Sequence, residues 1–228
     1  MNYKFIISTL LLLFTTFLYA QEETTRSLDN FKKIKISGSF DVEISHSNEN
    51  TVTIIAHGKT KTTDIITEIT NGKLSIYPRK GVRNVNADII ITYTEKLSGI
   101  GFSGSSDIRS KGLLETDDIG IAGSGSGSFK GEINANSIET SLSGSGELYL
   151  KGNANNLSIS VSGSADIDTK ELEAKIVTIS VSGSGDVDCF ATEEITARVS
   201  GSGDIRYKGQ PSRTKIKVSG SGDIEQIN

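Results

Sequence analysis

A six-residue phrase, Ser-Gly-Ser-x-acidic-apolar, recurs in seven copies between residues 103 and 224, with Ser128 at the acidic place in the second, and no other feature of the sequence restricts its folding as strongly. The first copy is Ser103-Gly104-Ser105-Ser106-Asp107-Ile108. The leading glycines of the seven copies, Gly104, Gly125, Gly144, Gly163, Gly183, Gly201 and Gly220, fall 21, 19, 19, 20, 18 and 19 residues apart. A period near 20 suits one turn of a solenoid, is too long for an array of hairpins, and is too short for repeats of paired helices.

Apolar residues stand three places before the phrase (Ile100, Ile121, Ile159, Ile179, Ile216) and one place before it (Phe102, Leu142, Val161, Val181, Val199, Val218). Their alternation with polar residues and their β-branched bias predict a strand with one buried face. The sixth position of the phrase, from Ile108 to Ile224, opens a second inward column, so the Ser-Gly-Ser unit is a corner. Its leading Gly never varies among the seven copies, whereas the fourth position accepts Ser106 and Ala165. This pattern predicts positive φ or a close backbone approach at the leading Gly alone. The flanking Ser hydroxyls are expected to cap the backbone of the corner. The second copy, in the run Gly123-Ser124-Gly125-Ser126-Gly127-Ser128, reads as two residues too long and predicts a bulge.

One such coil cannot bury its own apolar residues, so coils stacked at the strand spacing of about 4.8 Å must share a core. The predicted fold is all-β, a right-handed parallel β-helix (β-solenoid) with about 20 residues per coil. An antiparallel β-roll or sandwich is the alternative that alternation alone permits.

Residues 1–20 combine Lys4, an apolar run and a small residue, Ala20, which predicts a secretory signal peptide cut before Gln21. Residues 21–29 then read as a disordered linker and 30–228 as a single β-solenoid domain, with regular repeats over 98–228. Within it, 30–97 is a degenerate, capping section. Ile36-Ser37-Gly38-Ser39-Phe40-Asp41-Val42 already carries the phrase, and the 66 residues from Gly38 to Gly104 have room for three coils of about 22. At the carboxyl end, either charges such as Asp223 and Glu225 shield the last coil, or it docks on a second copy as a homo-oligomer.

Cys189 is the sole cysteine, so no internal disulfide forms, and its place near the inward column predicts an inert buried thiol. The net charge is −4, with Lys and Arg scattered, which gives no nucleic-acid patch. After residue 20 no stretch is apolar enough to cross a membrane as a helix.

The fifth-position column, Asp107, Ser128, Glu147, Asp166, Asp186, Asp204 and Asp223, would stack carboxylates about 5 Å apart. Calcium would relieve their repulsion, which makes Asp166, Asp186, Asp204 and Asp223 the candidate metal ligands of a calcium-stabilised module. Otherwise each Asp caps its own turn. The next column, which holds Asp188, Arg206 and Glu225, mixes charge signs as a solvated face does. Paired carboxylates such as Asp166 and Asp186 recur in every coil without one pair being singled out, and Trp is absent. A carbohydrate-binding or carbohydrate-cleaving protein, with Tyr93, Tyr149 or Tyr207 in a groove, is therefore the alternative to a noncatalytic one. His46 and His57 lie beside turn signals, and Gly99-Ile100-Gly101-Phe102-Ser103-Gly104 matches a dinucleotide fingerprint without the helix that would follow it.

The Ile34-Lys35-Ile36-Ser37-Gly38-Ser39-Phe40-Asp41-Val42 segment, Asn71-Gly72-Lys73-Leu74-Ser75-Ile76, Lys96-Leu97-Ser98-Gly99-Ile100 and the Ser-Gly-Ser-Gly-Asp repeats together resemble the putative auto-transporter adhesin, head GIN domain family, over about residues 30–226. The resemblance implies an exported, β-helical protein of the bacterial envelope, located in the periplasm, on the outer surface or outside the cell. It carries over no catalytic residues or cofactor, and the sequence departs from the family's name in showing no carboxyl-terminal membrane barrel of ~10-residue lipid-facing strands. The expected function is noncatalytic, adhesin-like binding or assembly with a glycan or cell-surface protein as partner.

Overall fold

The computed structural model describes residues 22 to 227; residues 1–20, read from sequence as a signal peptide, lie outside the described residues. The strands are β1 (Glu22–Ser27), β2 (Lys33–Gly38), β3 (Asp41–His46), β4 (Thr51–Ala56), β5 (Ile65–Thr70), β6 (Lys73–Pro78), β7 (Ala87–Tyr93), β8 (Gly99–Gly104) and β9 (Asp107–Glu115). They continue as β10 (Asp118–Gly125), β11 (Ser128–Gly144), β12 (Glu147–Gly163), β13 (Asp166–Gly183), β14 (Val187–Gly201), β15 (Ile205–Lys208), β16 (Arg213–Gly220) and β17 (Ile224–Gln226).

From β8 onward every pairing is parallel and joins each coil to the next, phrase on phrase: Gly104 on Gly125, Gly144 on Gly163, Gly183 on Gly201. The repeat therefore folds as a parallel β-solenoid, and the antiparallel alternative is set aside. Its apolar columns merge into one core running from Phe31 to Tyr207. Cys189 lies wholly within it, and burial pushes its thiol up to about 12, where it is unreactive at neutral pH.

Three expectations are corrected. Residues 22–27, inside the segment read as a linker, form β1, which pairs antiparallel with β4. Glu-Glu-Thr-Thr-Arg-Ser has no apolar face to betray a strand, and β1 is held at an edge by polar groups. Arg26 donates to the carbonyls of Thr62 and Ile65 and to the Thr67 hydroxyl at 2.8–3.1 Å.

The 66 residues between Gly38 and Gly104 do not hold three successive coils. The β2–β3 coil stacks directly on β8–β9, with Gly38 beside Gly104, and the intervening chain crosses to the far side. There β6 and β7 add one parallel coil, which antiparallel β5 and β4 then close. Reversed strands end the stack without offering a parallel edge, a standard way to blunt a sheet.

The second corner does not bulge. β10 keeps unbroken register with β8 and β11, and Gly123 occupies the inward site held by Phe102 below and Leu142 above. A Cβ there would meet Leu142 Cδ2 at 2.6 Å and the Phe102 ring closer still, so the neighbours' side chains fill the space that Gly123 leaves.

Candidate functional site

With no single cleft dominating, the site is built from the exterior of the coils. The corner comes first. All seven leading glycines adopt φ between +93° and +137°, but close backbone approach is not theirs alone as expected, since a Cβ on fourth-position Gly146 would lie 2.6 Å from the Gly127 carbonyl oxygen. A Cβ on Gly163 would lie 2.6 Å from the Gly144 carbonyl oxygen, which is already the acceptor for Ser164 N–H at 2.8 Å. The same bond recurs from Ser184 to Gly163 and from Ser202 to Gly183. The coil below thus satisfies the corner's backbone, not the flanking Ser hydroxyls as expected from sequence. A hydroxyl does cap the corner at the fourth position of the first copy, where Ser106 Oγ donates to Gly38 O and accepts from Phe40 N.

The acidic column has two regimes. In the lower coils the fifth residue's N–H donates to a backbone carbonyl beneath it: Ser128 to Ser106, Glu147 to Gly127, Asp166 to Gly146. Above them a carboxylate takes over. Asp186 N–H donates to Asp166 Oδ1 at 3.1 Å, Asp204 to Asp186 at 2.9 Å and Asp223 to Asp204 at 2.8 Å, while Asp223 Oδ1 accepts from Ile224. The column's composition follows from this. Where a carbonyl does the work the residue below is free to be Ser128 or Glu147, and where it does not, the residue is Asp. Asp166, Asp186 and Asp204 cap the coil above rather than their own turn.

Consequently Asp166, Asp186 and Asp204 each commit an oxygen to backbone, whereas a calcium ion gathers six to eight oxygens. Among the described residues no three His, Cys, Asp or Glu side chains are grouped as a metal ion requires. Asp186→Ala is expected to remove about 1 kcal/mol, a fall of roughly 2–4 °C in melting temperature, while Glu147→Ala leaves it unchanged. Equal melting temperatures for the two variants would contradict the two-regime account.

The neighbouring column gathers a network that the sequence reading saw only in part. Asp188, 7% exposed, accepts Arg206 in a two-pronged contact at 2.6 and 3.1 Å. Its further partner, Lys170 Nζ at 2.8 Å, was missed because a register shift between Asp168 and Glu173 brings it there. Hydrogen bonding to Asp188 raises the pKa of both cations.

The tyrosines do not line a shared groove. Tyr93 and Tyr207 are buried in the core, the former edge-on to His46 at 5.6 Å. Tyr149 hydrogen-bonds Glu171, which pushes its hydroxyl up to about 12, and Lys130 sits 4.5 Å over its ring. His46 meets the Thr94 carbonyl at 3.2 Å and His57 meets Asp88 at 3.1 Å, both within the amino-terminal cap. Gly99 to Gly104 form β8 and are followed by β9, which gives the apparent dinucleotide fingerprint no helix. An amide ladder also escaped notice: Asn134 with Asn153 and Asn136 with Asn155, each spaced by the coil length, hold an opposite corner together at 3.0–3.1 Å.

Fold and exterior define a parallel β-solenoid whose titratable groups run in columns. The chain belongs to the family described as putative auto-transporter adhesin, head GIN domain, which matches residues 30–211. A crystal structure of a putative adhesin from Bacteroides fragilis NCTC 9343 superposes with TM-score 0.86 at 26% identity, covering 92% of this chain and 98% of that one. A putative lipid binding protein from Parabacteroides distasonis ATCC 8503 has TM-score 0.72 at 24% identity (91% and 97% covered). A putative adhesin from Parabacteroides merdae ATCC 43184 has TM-score 0.72 at 20% identity (91% and 96% covered). The last two share the fold alone. No curated protein matches the chain.

Proposed function

We propose that the protein is an exported, noncatalytic, adhesin-like component of the bacterial envelope, which uses the long polar exterior of the solenoid to bind a surface partner. The observation that carries this reading is the layout of its carboxylates. Asp166, Asp186 and Asp204 are spent on backbone N–H groups of the coils above, and Asp188 is held by Arg206 and Lys170, which leaves them in structural roles. General acid and base work needs the opposite, two carboxylates converging on one point with separated proton affinities. Family membership supports the adhesin-like reading and the envelope address.

The test is expression of the full chain in a bacterium. The expected product begins at Gln21, resides in the envelope or medium, and binds intact cells saturably. Retention of residues 1–20 on a cytoplasmic product would contradict export, and unsaturable or absent binding would contradict adhesion.

The last coil supports self-association as part of this reading. β16 and β17 are paired on one side only among the described residues, and Ile216 and Val218, in line with the buried Ala197 and Val199, are 44% and 41% exposed. A second copy stacked on this edge would cover them. Sedimentation at micromolar concentration is expected to show a dimer that Val218→Lys dissociates, and a monomeric wild type would contradict it.

A further inference from the structure

The register of the strands before the corner lays out two rows of outward side chains running the length of the solenoid. One row reads Lys73, Lys33, Gly99, Gly120, Glu139, Ser158, Thr178, Thr196, Lys215. Its neighbour reads Ser75, Lys35, Gly101, Ala122, Ser141, Ser160, Ser180, Arg198, Lys217. Cations stand near both ends and small and hydroxyl-bearing residues lie between; Glu139 is the sole carboxylate on the parallel strands of the two rows, and antiparallel β5 adds Thr70 beside Lys73 and Glu68 beside Ser75.

Each end contains a like-charge pair in register on adjacent strands: Lys33 beside Lys73, and Arg198 beside Lys217. Such pairs destabilise a sheet unless something offsets them. None of these four side chains forms an ion pair among the described residues, although carboxylates find partners elsewhere on the surface. The row just past the corner, by contrast, runs Asp88, Asp41, Asp107, Ser128, Glu147, Asp166. The corner row is therefore acidic, whereas the two outward rows before it carry cations near their ends.

Between the cation pairs the floor is open without structural cause. Gly101 and Gly120 lack left-handed φ, a Cβ on Gly120 would meet nothing within 4 Å, and one on Gly101 would meet backbone only at an ordinary 3.8 Å. Glycine inside a strand weakens it and commonly marks close approach by a ligand. Here these glycines open a groove of about 580 Å³ whose charged lining is Lys33, Lys35 and Lys73 against the single carboxylate of Glu139.

We propose that this face binds an extended anionic polysaccharide lying along the solenoid axis. Its acid groups meet the two cation pairs, and its hydroxyls hydrogen-bond to the Ser and Thr floor. Six strand spacings separate Lys35 from Arg198, about 29 Å, so the ligand is a polymer rather than a single sugar. An anionic bilayer is disfavoured because no large apolar side chain in these rows faces outward to insert. The inference rests on the adhesin-like reading above and specifies its partner.

The test measures binding of the mature full-length protein to polygalacturonate, to neutral dextran and to phosphatidylglycerol vesicles. Polygalacturonate is expected to bind, dextran is not, and about 0.5 M salt should release the polymer. The double variant Lys73→Gln/Lys217→Gln should bind at least about tenfold more weakly, yet melt at the same or a higher temperature without polymer because like-charge contacts are gone. Gly101→Val should weaken binding with no loss of melting temperature, and Lys130→Gln, past the corner and outside the two rows, should leave binding unchanged.

Equal affinity for dextran, or full affinity in the double variant, overturns the proposal. Vesicle binding without polygalacturonate binding overturns it in favour of a lipid surface. Attachment to intact cells without polygalacturonate binding overturns this proposal alone, and failure of both overturns the adhesin-like reading as well.

Discussion

Gly163→Val is expected to lower the melting temperature by roughly 10 °C, corresponding to about 3 kcal/mol or more, whereas Ala165→Ser two residues away costs about 1 kcal/mol. The difference follows from the backbone. Gly163 sits at φ +114°, which a β-branched residue adopts only with strain, and its Cβ would press at 2.6 Å on the Gly144 carbonyl that accepts Ser164 N–H. Neither partner can yield without breaking the bond that stacks two coils. Ala165 already carries a Cβ at ordinary φ, and the equivalent Ser106 shows that a hydroxyl there can find partners. Differential scanning calorimetry of both variants checks this; equal shifts would contradict the corner geometry.

Gly123→Leu carries the second large effect, and its sign is the informative part. By column alignment the position belongs to the apolar set with Phe102 and Leu142, so adding a leucine would be expected to contribute about 2 kcal/mol of burial. In the folded chain the opposite is expected, a loss of about 2–3 kcal/mol, because Phe102 and Leu142 already occupy the space. The paired variant Phe102→Ala/Gly123→Leu should recover part of that loss, a coupling that a double-mutant cycle measures directly. A stabilised single variant would show that the core has slack at this layer.

Gly123 also shows how far the sequence could be read. The period, the inward columns and the leading glycines were all legible, since each repeats at near-constant spacing and obeys local rules of alternation and φ. What escaped depended on partners distant along the chain. Which side chain fills a layer is decided by the coils above and below, so the missing apolar residue at Gly123 looked like an inserted corner. The spatial order of β2, β6 and β8 depends on a chain crossing that no local signal marks. β1 is polar throughout and is fixed by Arg26 reaching carbonyls 36 and 39 residues away.

The acidic column carries a clue that is visible in the sequence. Its drift to Ser128 and Glu147 in the lower coils coincides with the coils whose next N–H uses a backbone acceptor. Likewise, the two outward rows were present in the sequence as the residues between the apolar columns. Their like-charge pairs Lys33–Lys73 and Arg198–Lys217 became apparent only with the register, since the first pair joins strands 40 residues apart around a crossing.

The most direct measurement of the central claim, a noncatalytic solenoid whose cationic-ended face binds while its acidic corners hold the coils together, is a crystal structure grown with both calcium and a galacturonate oligomer. The account predicts oligomer along Gly101, Ser141 and Ser160, intact and spanning toward Lys35 or Arg198, with the carboxylates of Asp166, Asp186 and Asp204 still on backbone N–H groups. Calcium bridging those carboxylates, or a cleaved oligomer lodged against the acidic corner row, would contradict it.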